Sequence, residues 1–554
     1  MSIVSRRALP AFVKTSVSLL AVTLALGAAA PAIAGGDDVA AKRKRPAVQS
    51  QAALKQQIAS EAQRLIELQK ARYDDDSAAK QAQIDALMAE VKSLAAQVKA
   101  LQDKDAAAPV VVAAAPAQPA PAATPKQLAA TVAPTGATNF KNATASLSSA
   151  TGDFTLTFRS LFQMDAASYM QDDNLPSSVT ARDLNSGTNF RRARIGMVGK
   201  AYKDFEYAIW MDFGGSGGED VGRFHEAWVQ YNGFKHAKLR IGEFGPSAGM
   251  ADATGAGNTP FLERAAVAEM ARGIAAGDTR MGVAAFNSSD RYLWSLAITG
   301  NTLSTLNTQA SSFVPASFDE QLGVVARVAG TPLKGKDWLV HAGVNYQAII
   351  NPNDAGAASA TPFAVQLRER PELRVDGTRL VDTGAINAEN LTSTGIELAA
   401  QAGQGFIQAE AFNFDITRKN PAAGVTDPSF AGWYVEGGWT LTGEARKYNA
   451  TTGAFDGVVP KNNFDPKAGH WGAFELVARY ANLDLDYNIG SAVVGDRVRG
   501  GQQDITSLGL GWTLNPSVRF VFQGQQVKVV RMNASGGLLD QDYSTFAVRS
   551  QFGF

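Results

Sequence analysis

The chain ends in 543-YSTFAVRSQFGF-554, and the alternation in this stretch decides the fold. Phe546, Val548, Phe552 and Phe554 fall in one phase, and Thr545, Arg549, Gln551 and Gly553 in the other. Successive side chains of a strand point to opposite faces, so this is a strand with one apolar and one wet face. Chain ends ordinarily fray. An apolar strand kept up to the last residue fits either a strand of a soluble sandwich or the closing strand of a membrane barrel whose apolar side meets lipid.

Outward from this stretch the same period recurs. In 205-FEYAIWMDF-213, Phe205, Tyr207, Ile209, Met211 and Phe213 stand against Glu206, Ala208, Trp210 and Asp212, and 154–165 and 191–200 behave alike. Further stretches near 223–232, 237–244, 280–288, 291–300, 320–330, 337–348, 391–400, 405–414, 431–442, 472–482, 502–514, 517–528 and 542–554 bring the count to sixteen. Residues 151–554 allow roughly 25 residues per strand and its connection, which suits an outer-membrane barrel. Short turns at Lys203-Asp204 and Asn515-Pro516, with long connections at 245–279, 349–390 and 443–471, fit the alternation of turns and loops in such barrels. The polar phase carries Arg, Gln and Asp where a sandwich would show solvent Lys or Glu. Tyr202, Trp228, Tyr231, Trp338, Trp433, Trp439, Trp512 and Tyr543 sit at strand ends, as interfacial girdles require. The fold class predicted is all-β, a 16-stranded antiparallel transmembrane barrel, preceded by a short α-helical coiled coil and a Pro/Ala-rich linker. Phe554 then ends the closing strand, which must pair with the first to abolish both edges.

The rest of the sequence agrees. Among 554 residues, 45% are hydrophobic and 19% charged, and Lys+Arg and Asp+Glu are both 52, a balance that argues against nucleic acid as a partner. Residues 1–34 show a basic start (Arg6, Arg7, Lys14), the apolar run SVSLLAVTLALGAAA and Ala32-Ile33-Ala34, the pattern of a cleavable signal peptide. The run is shorter than the roughly 20 residues of a helical span. There is no cysteine, so neither a disulfide framework nor a lipid-anchored N-terminus is expected. Residues 35–105 hold the basic run KRKR at 42–45 and then a helix-favouring segment. Ile84, Leu87, Val91, Leu94, Val98 and Leu101 are spaced as a heptad seam. Oligomerisation is the reading of that seam, with an amphipathic helix lying on a surface as the alternative. Residues 106–150 form the Ala/Pro-rich linker.

The stretches FRRARIGMVGKAYKDFEYAIWMDFGG, AWVQYNGF, LRIGEFGP, TPFLERA, RPELRVDGTRLVDTG, GWYVEGGWTLTGEARKYN and FELVARYANLDLD resemble the phosphate-selective porin O/P family over roughly 151–554. The resemblance implies a sixteen-stranded trimeric channel for small anions in the outer membrane of a Gram-negative bacterium. It also implies an arginine ladder, a lysine-rich mouth, a constriction made by the third loop, and a terminal Phe554 read by the barrel-assembly machinery. The N-terminal arm would lie in the periplasm.

An anion channel replaces hydration water with donors that keep their charge, which favours Arg. Arg159, Arg192, Arg194, Arg240, Arg327, Arg479, Arg519 and Arg549 occupy the polar phase of their strands. Arg264 and Arg272 lie in the predicted third loop, and Arg191 and Arg192 match the paired arginines of the family motif. The alternative for each arginine is an ion pair across the lumen. The third loop has no lysine and carries Glu263 and Glu269, a departure from tight phosphate binding. Only four histidines occur, and His225-Glu226 lacks the second histidine of a zinc helix. Neither an enzyme nor a metal or other cofactor is expected. The function predicted is passive diffusion of small anions, phosphate or polyphosphate-like, through an arginine-lined lumen. The alternatives are a weakly selective general porin and a structural anchor using the coiled-coil arm.

Overall fold

The computed structural model describes residues 139–141, 144–171, 183–215, 222–274, 279–300, 321–352, 364–533 and 536–554, all within the unit Ala129–Phe554. The predicted signal peptide, the KRKR run, the heptad seam and most of the linker lie outside the described residues.

Sixteen long strands occur where the alternation places them: β1 Phe154–Met170, β2 Gly187–Ala201, β3 Phe205–Asp212, β4 Arg223–Tyr231, β5 Lys238–Phe244, β6 Arg280–Ser288, β7 Tyr292–Thr299 and β8 Leu322–Lys334, followed by β9 Trp338–Asn351, β10 Ile386–Ala402, β11 Gly405–Arg418, β12 Ser429–Thr440, β13 Ala473–Tyr487, β14 Val498–Asn515, β15 Val518–Met532 and β16 Leu538–Gly553. Each pairs antiparallel with its neighbours in sequence. The ring closes through β16 and β1, from Ser544 opposite Met170 to Gly553 opposite Leu161. Beyond it, the Phe554 carbonyl accepts from the Ser160 amide at 2.8 Å, and the Phe554 amide donates to the Ser160 carbonyl at 3.3 Å. A closed ring excludes the sandwich, because it leaves no sheet edge.

Burial is inverted relative to a soluble protein. In β16, Phe546 is 51% exposed on the outside while Arg549 is 1% exposed on the inside. The same contrast separates Ile396 from Glu397 and Leu508 from Ser507. Apolar side chains outside and polar ones inside are what hydrocarbon on one side and water on the other select. Tyr202, Trp338, Trp433 and Trp439 are exposed on the outer surface as expected of a girdle. Trp228 and Tyr543 are corrections. Tyr543 is buried inside, and the Trp228 indole donates to Glu226 at 2.9 Å within the lumen, since both fall in the inward phase of their strands.

Two further details differ from expectation. The final residues assigned to the linker form short strands, Asn139–Lys141 and Thr144–Ser148. The second of these pairs Ser146 with Thr157 of β1, covering the part of the β1 edge that β16 has already passed. Also, the long connection between β12 and β13 lies at the end of the barrel that carries the short turns, because it follows an even-numbered strand. Length alone therefore does not assign a connection to one end.

Deleting residues 552–554 removes the Phe554–Ser160 bonds and opens the β1 edge. We expect the deleted chain to lose the compact, unheated form on a semi-native gel. Full recovery of that form would contradict the role of Phe554 in closure.

Candidate functional site

Among the described residues, three connections turn into the barrel. The β5–β6 connection carries two short helices, α1 Met250–Ala253 and α2 Ala266–Gly273. Helix α2 buries Val267 and Met270, and Val267 fits against the barrel wall because Gly432 has no side chain; a Cβ there would lie 2.7 Å from Val267 Cγ2. The buried Glu410 carboxylate of β11 accepts from the backbone amides of Met250 at 2.7 Å and Ala251 at 2.9 Å. The β9–β10 connection brings in 370-RPELR-374, and the β12–β13 connection brings in 443-GEARKYN-449 from the opposite end. Arg446 holds the latter with a bidentate pair to Glu475 at 2.6 and 2.7 Å.

Glu263 of the β5–β6 connection is where the wall and the loops meet. Its carboxylate receives Arg191 at 2.8 Å, Arg192 at 3.3 Å and Arg549 at 2.7 Å, with Arg374 at 3.8 Å. Two adjacent strand residues, Arg191 and Arg192, both point inward because β2 carries a bulge: Gln163 of β1 pairs with Arg192 and Met164 with Phe190, leaving Arg191 extra. Strict alternation would have sent one of them to lipid. Arg549 also grips Asp165 at 2.6 and 2.7 Å. A second cluster joins Arg272 to Asp252 at 2.7 Å and to Glu269 at 3.1 Å, with Arg374 on Glu269 at 2.5 Å.

Beside these connections a cavity of about 970 Å³ runs along the β1–β4 side of the lumen, from Ser517 and Phe554 at the turn end to Arg368 and Arg379 at the loop end. Arg159, Arg191, Arg192, Arg194, Arg264 and Arg272 line it. The other five candidates lie away from it. Arg327 pairs with Glu397 at 2.7 Å, Arg479 with Glu372 and Glu436, and Arg240 donates to Gln230. Arg519 donates to the Thr259 carbonyl at 2.8 Å, and Arg549 is spent on Asp165 and Glu263. These five fasten the inserted connections or brace the wall. Sequence reasoning missed Arg223, Arg368, Arg370, Arg374 and Arg379, which also line the cavity. The motif RPELRVDGTR contained three of them, Arg370, Arg374 and Arg379, but a long connection gives no periodic sign of turning inward.

Charge states in the connections follow from these contacts. Burial opposes ionisation of Glu263, but Arg191, Arg192, Arg549 and Arg374 outweigh it and hold the carboxyl well below the usual range. Burial also opposes ionisation of Glu269, yet Arg272, Arg374 and Arg264 bring it down to about 2. Burial raises Glu372, and Arg479 offsets only part of that.

A closed barrel with an apolar exterior, a charged interior and inserted connections that narrow its bore is an outer-membrane channel of the porin class. The chain belongs to the phosphate-selective porin O and P family, whose profile matches residues 162–554. It is 28% identical to Porin O of Pseudomonas aeruginosa over 383 residues, 66% of this chain and 82% of that protein. It is 24% identical to an uncharacterised protein of Caulobacter vibrioides over 397 residues, 71% of this chain and 70% of the other. Among solved structures, the loop L8 deletion mutant of OmpT, an outer membrane protein of Vibrio cholerae, has a TM-score of 0.43 at 11% identity, covering 73% of this chain and 100% of that one. The outer membrane channel DcaP of Acinetobacter baumannii has a TM-score of 0.42 at 10% identity, covering 74% and 99%. Likenesses this distant carry no functional argument.

The lowered Glu269 ties the constriction to pH with a definite sign. A carboxyl depressed in the folded state contributes stability that is complete above its ordinary value and is lost as pH falls through the folded one. The contribution of the Glu269 pairs with Arg272 and Arg374 should therefore hold from pH 7 to about 4.5 and be lost between about 4.5 and about 2, a step that Glu269→Gln removes. Current noise of single channels measures this; a rise between about pH 4.5 and about 2 of the same size in wild type and Glu269→Gln would contradict the assignment.

Proposed function

We propose that the barrel lets small anions, phosphate among them, diffuse passively across the outer membrane along the cavity on the β1–β4 side. One observation carries this reading: among its described lining residues are eleven arginines and four carboxylates, Glu226, Asp252, Glu269 and Glu369. Walls of low dielectric sharpen the field of such an excess, and guanidinium forks match oxyanions. The family name, and Porin O as a relative, support the same reading. In this reading the assembly is a trimer, the N-terminal arm lies in the periplasm, and the heptad seam Ile84 to Leu101 helps hold the subunits together.

A weakly selective general porin is the second reading. It is favoured by the spending of many lumen guanidiniums on protein carboxylates and carbonyls, and by the absence of lysine from 245–279.

Planar-bilayer recording in a KCl gradient separates the two. A reversal potential of anion-selective sign, with chloride current falling as phosphate is added, is expected. An anion-selective sign without phosphate inhibition would leave the general porin, and a cation-selective sign would overturn the proposal.

A further inference from the structure

Arg159 differs in how it is held from the cavity arginines of β2 and of the β5–β6 connection. Arg191, Arg192, Arg264 and Arg272 give their donors to carboxylates or carbonyls. Among the described residues the Arg159 guanidinium has no protein hydrogen-bond acceptor; it lies 4.8 Å from the centroid of the Trp210 ring. A guanidinium on an indole face is fixed in orientation by the ring quadrupole without spending any N–H donor.

The register explains the contact. Arg159 pairs with Gly196, Gly196 with Trp210 and Trp210 with Glu226, forming one cross-strand row on the inner face of β1–β4. Gly196 leaves open the step between arginine and indole. A Cβ there would lie 2.3 Å from the Ile209 carbonyl oxygen and 3.0 Å from Trp210 Cγ, so a larger residue displaces the β3 backbone together with the ring. Trp210 is itself almost wholly buried. Arg240 provides a contrast two strands on: it lies 4.0 Å over Trp228, but its donors go to Gln230 at 3.0 and 2.6 Å. Arg159 is adjacent to Ser160, which bonds Phe554, so it stands at the turn end of the cavity.

We propose that Trp210, seated over Gly196, is a positioning residue that presents Arg159 as a preorganised subsite for oxyanions at the turn-end mouth of the pore. The subsite takes anions that offer two coplanar oxygens to one guanidinium fork, such as phosphate esters, inorganic phosphate or carboxylates, in preference to halides. The inference rests on the anion-channel reading above.

Inorganic phosphate titrated against chloride current from the turn side is the test, on the full-length protein in bilayers. Arg159→Ala should raise the half-inhibiting phosphate concentration about tenfold, in line with loss of a charge-assisted hydrogen bond. Trp210→Leu should raise it about three- to fivefold, with Trp210→Phe in between. The double variant Arg159→Ala/Trp210→Leu should match Arg159→Ala alone. Arg159→Lys, which keeps the charge but loses the fork, should raise the half-inhibiting concentration by less than Arg159→Ala while keeping the anion-selective reversal potential. Multiplying effects in the double variant, or Trp210→Leu behaving as wild type, would overturn the positioning role. If Trp210→Leu does not assemble, Trp210→Phe and Arg159→Lys decide, and wild-type inhibition in both overturns the inference. An anion-selective wild type whose inhibition Arg159→Ala leaves unchanged removes the subsite but not the channel reading. A cation-selective wild type removes both.

Discussion

One buried carboxylate ties the barrel wall to the connections inserted into it. Glu263 sits on a connection that left the barrel wall at Phe244, yet it meets guanidiniums from β2, from β16 and from the β9–β10 connection. Such a group is costly to bury alone and stable only when several donors surround it. The arrangement is reciprocal. Arg191, Arg192 and Arg549 would crowd one another as like charges without Glu263, and without them the connection would lose its main ionic tie to β2 and β16. The bulge in β2 supplies the doubled arginine and the closure of β16 onto β1 supplies Arg549 beside Asp165, so the site cannot be assembled before the barrel closes.

This separates the arginines of the lumen into two tasks. One set neutralises acids and so fastens the inserted connections: Arg327 on Glu397, Arg446 on Glu475, Arg479 on Glu372 and Glu436. The carboxylates concentrated on β10–β13 are thus largely covered by inserted chain. The β1–β4 side keeps its arginines along the cavity. Guanidinium suits both tasks because it stays charged and can donate to several acceptors at once. A lysine would give a point charge that burial readily neutralises. Separating cationic and anionic walls gives a lumen whose open side is positive although the chain as a whole carries no net charge.

The sequence made the barrel legible but not its interior. All sixteen strands stood out because a lipid-facing phase and a wet phase leave a period of two, and Phe546 opposed to Arg549 is enough to see it. The seats of individual arginines were less visible. Inward phase is necessary for lining the pore but not sufficient, since Arg327 and Arg479 share that phase and are taken up by acids distant in sequence. Arg374 and Arg446 lie in connections, where no period exists to read, and the acid each meets is more than twenty residues away. Arg191 illustrates a further limit: alternation counts in steps of two, and a bulge changes the count. For Trp228 and Tyr543 a place at a strand end suggests the girdle, but the inward phase of each residue decides.

The central claim is that Glu263 pins the inserted connection across the lumen. Single-channel conductance of Glu263→Gln in planar bilayers, compared with Glu263→Asp, tests it most directly. Removing one partner of a buried ion pair costs about 3–5 kcal/mol, enough to release the connection while the hydrogen-bonded barrel stays closed. The account predicts a larger and noisier conductance for Glu263→Gln, with Glu263→Asp nearer the wild type. A folded Glu263→Gln channel with unchanged conductance and noise would contradict it.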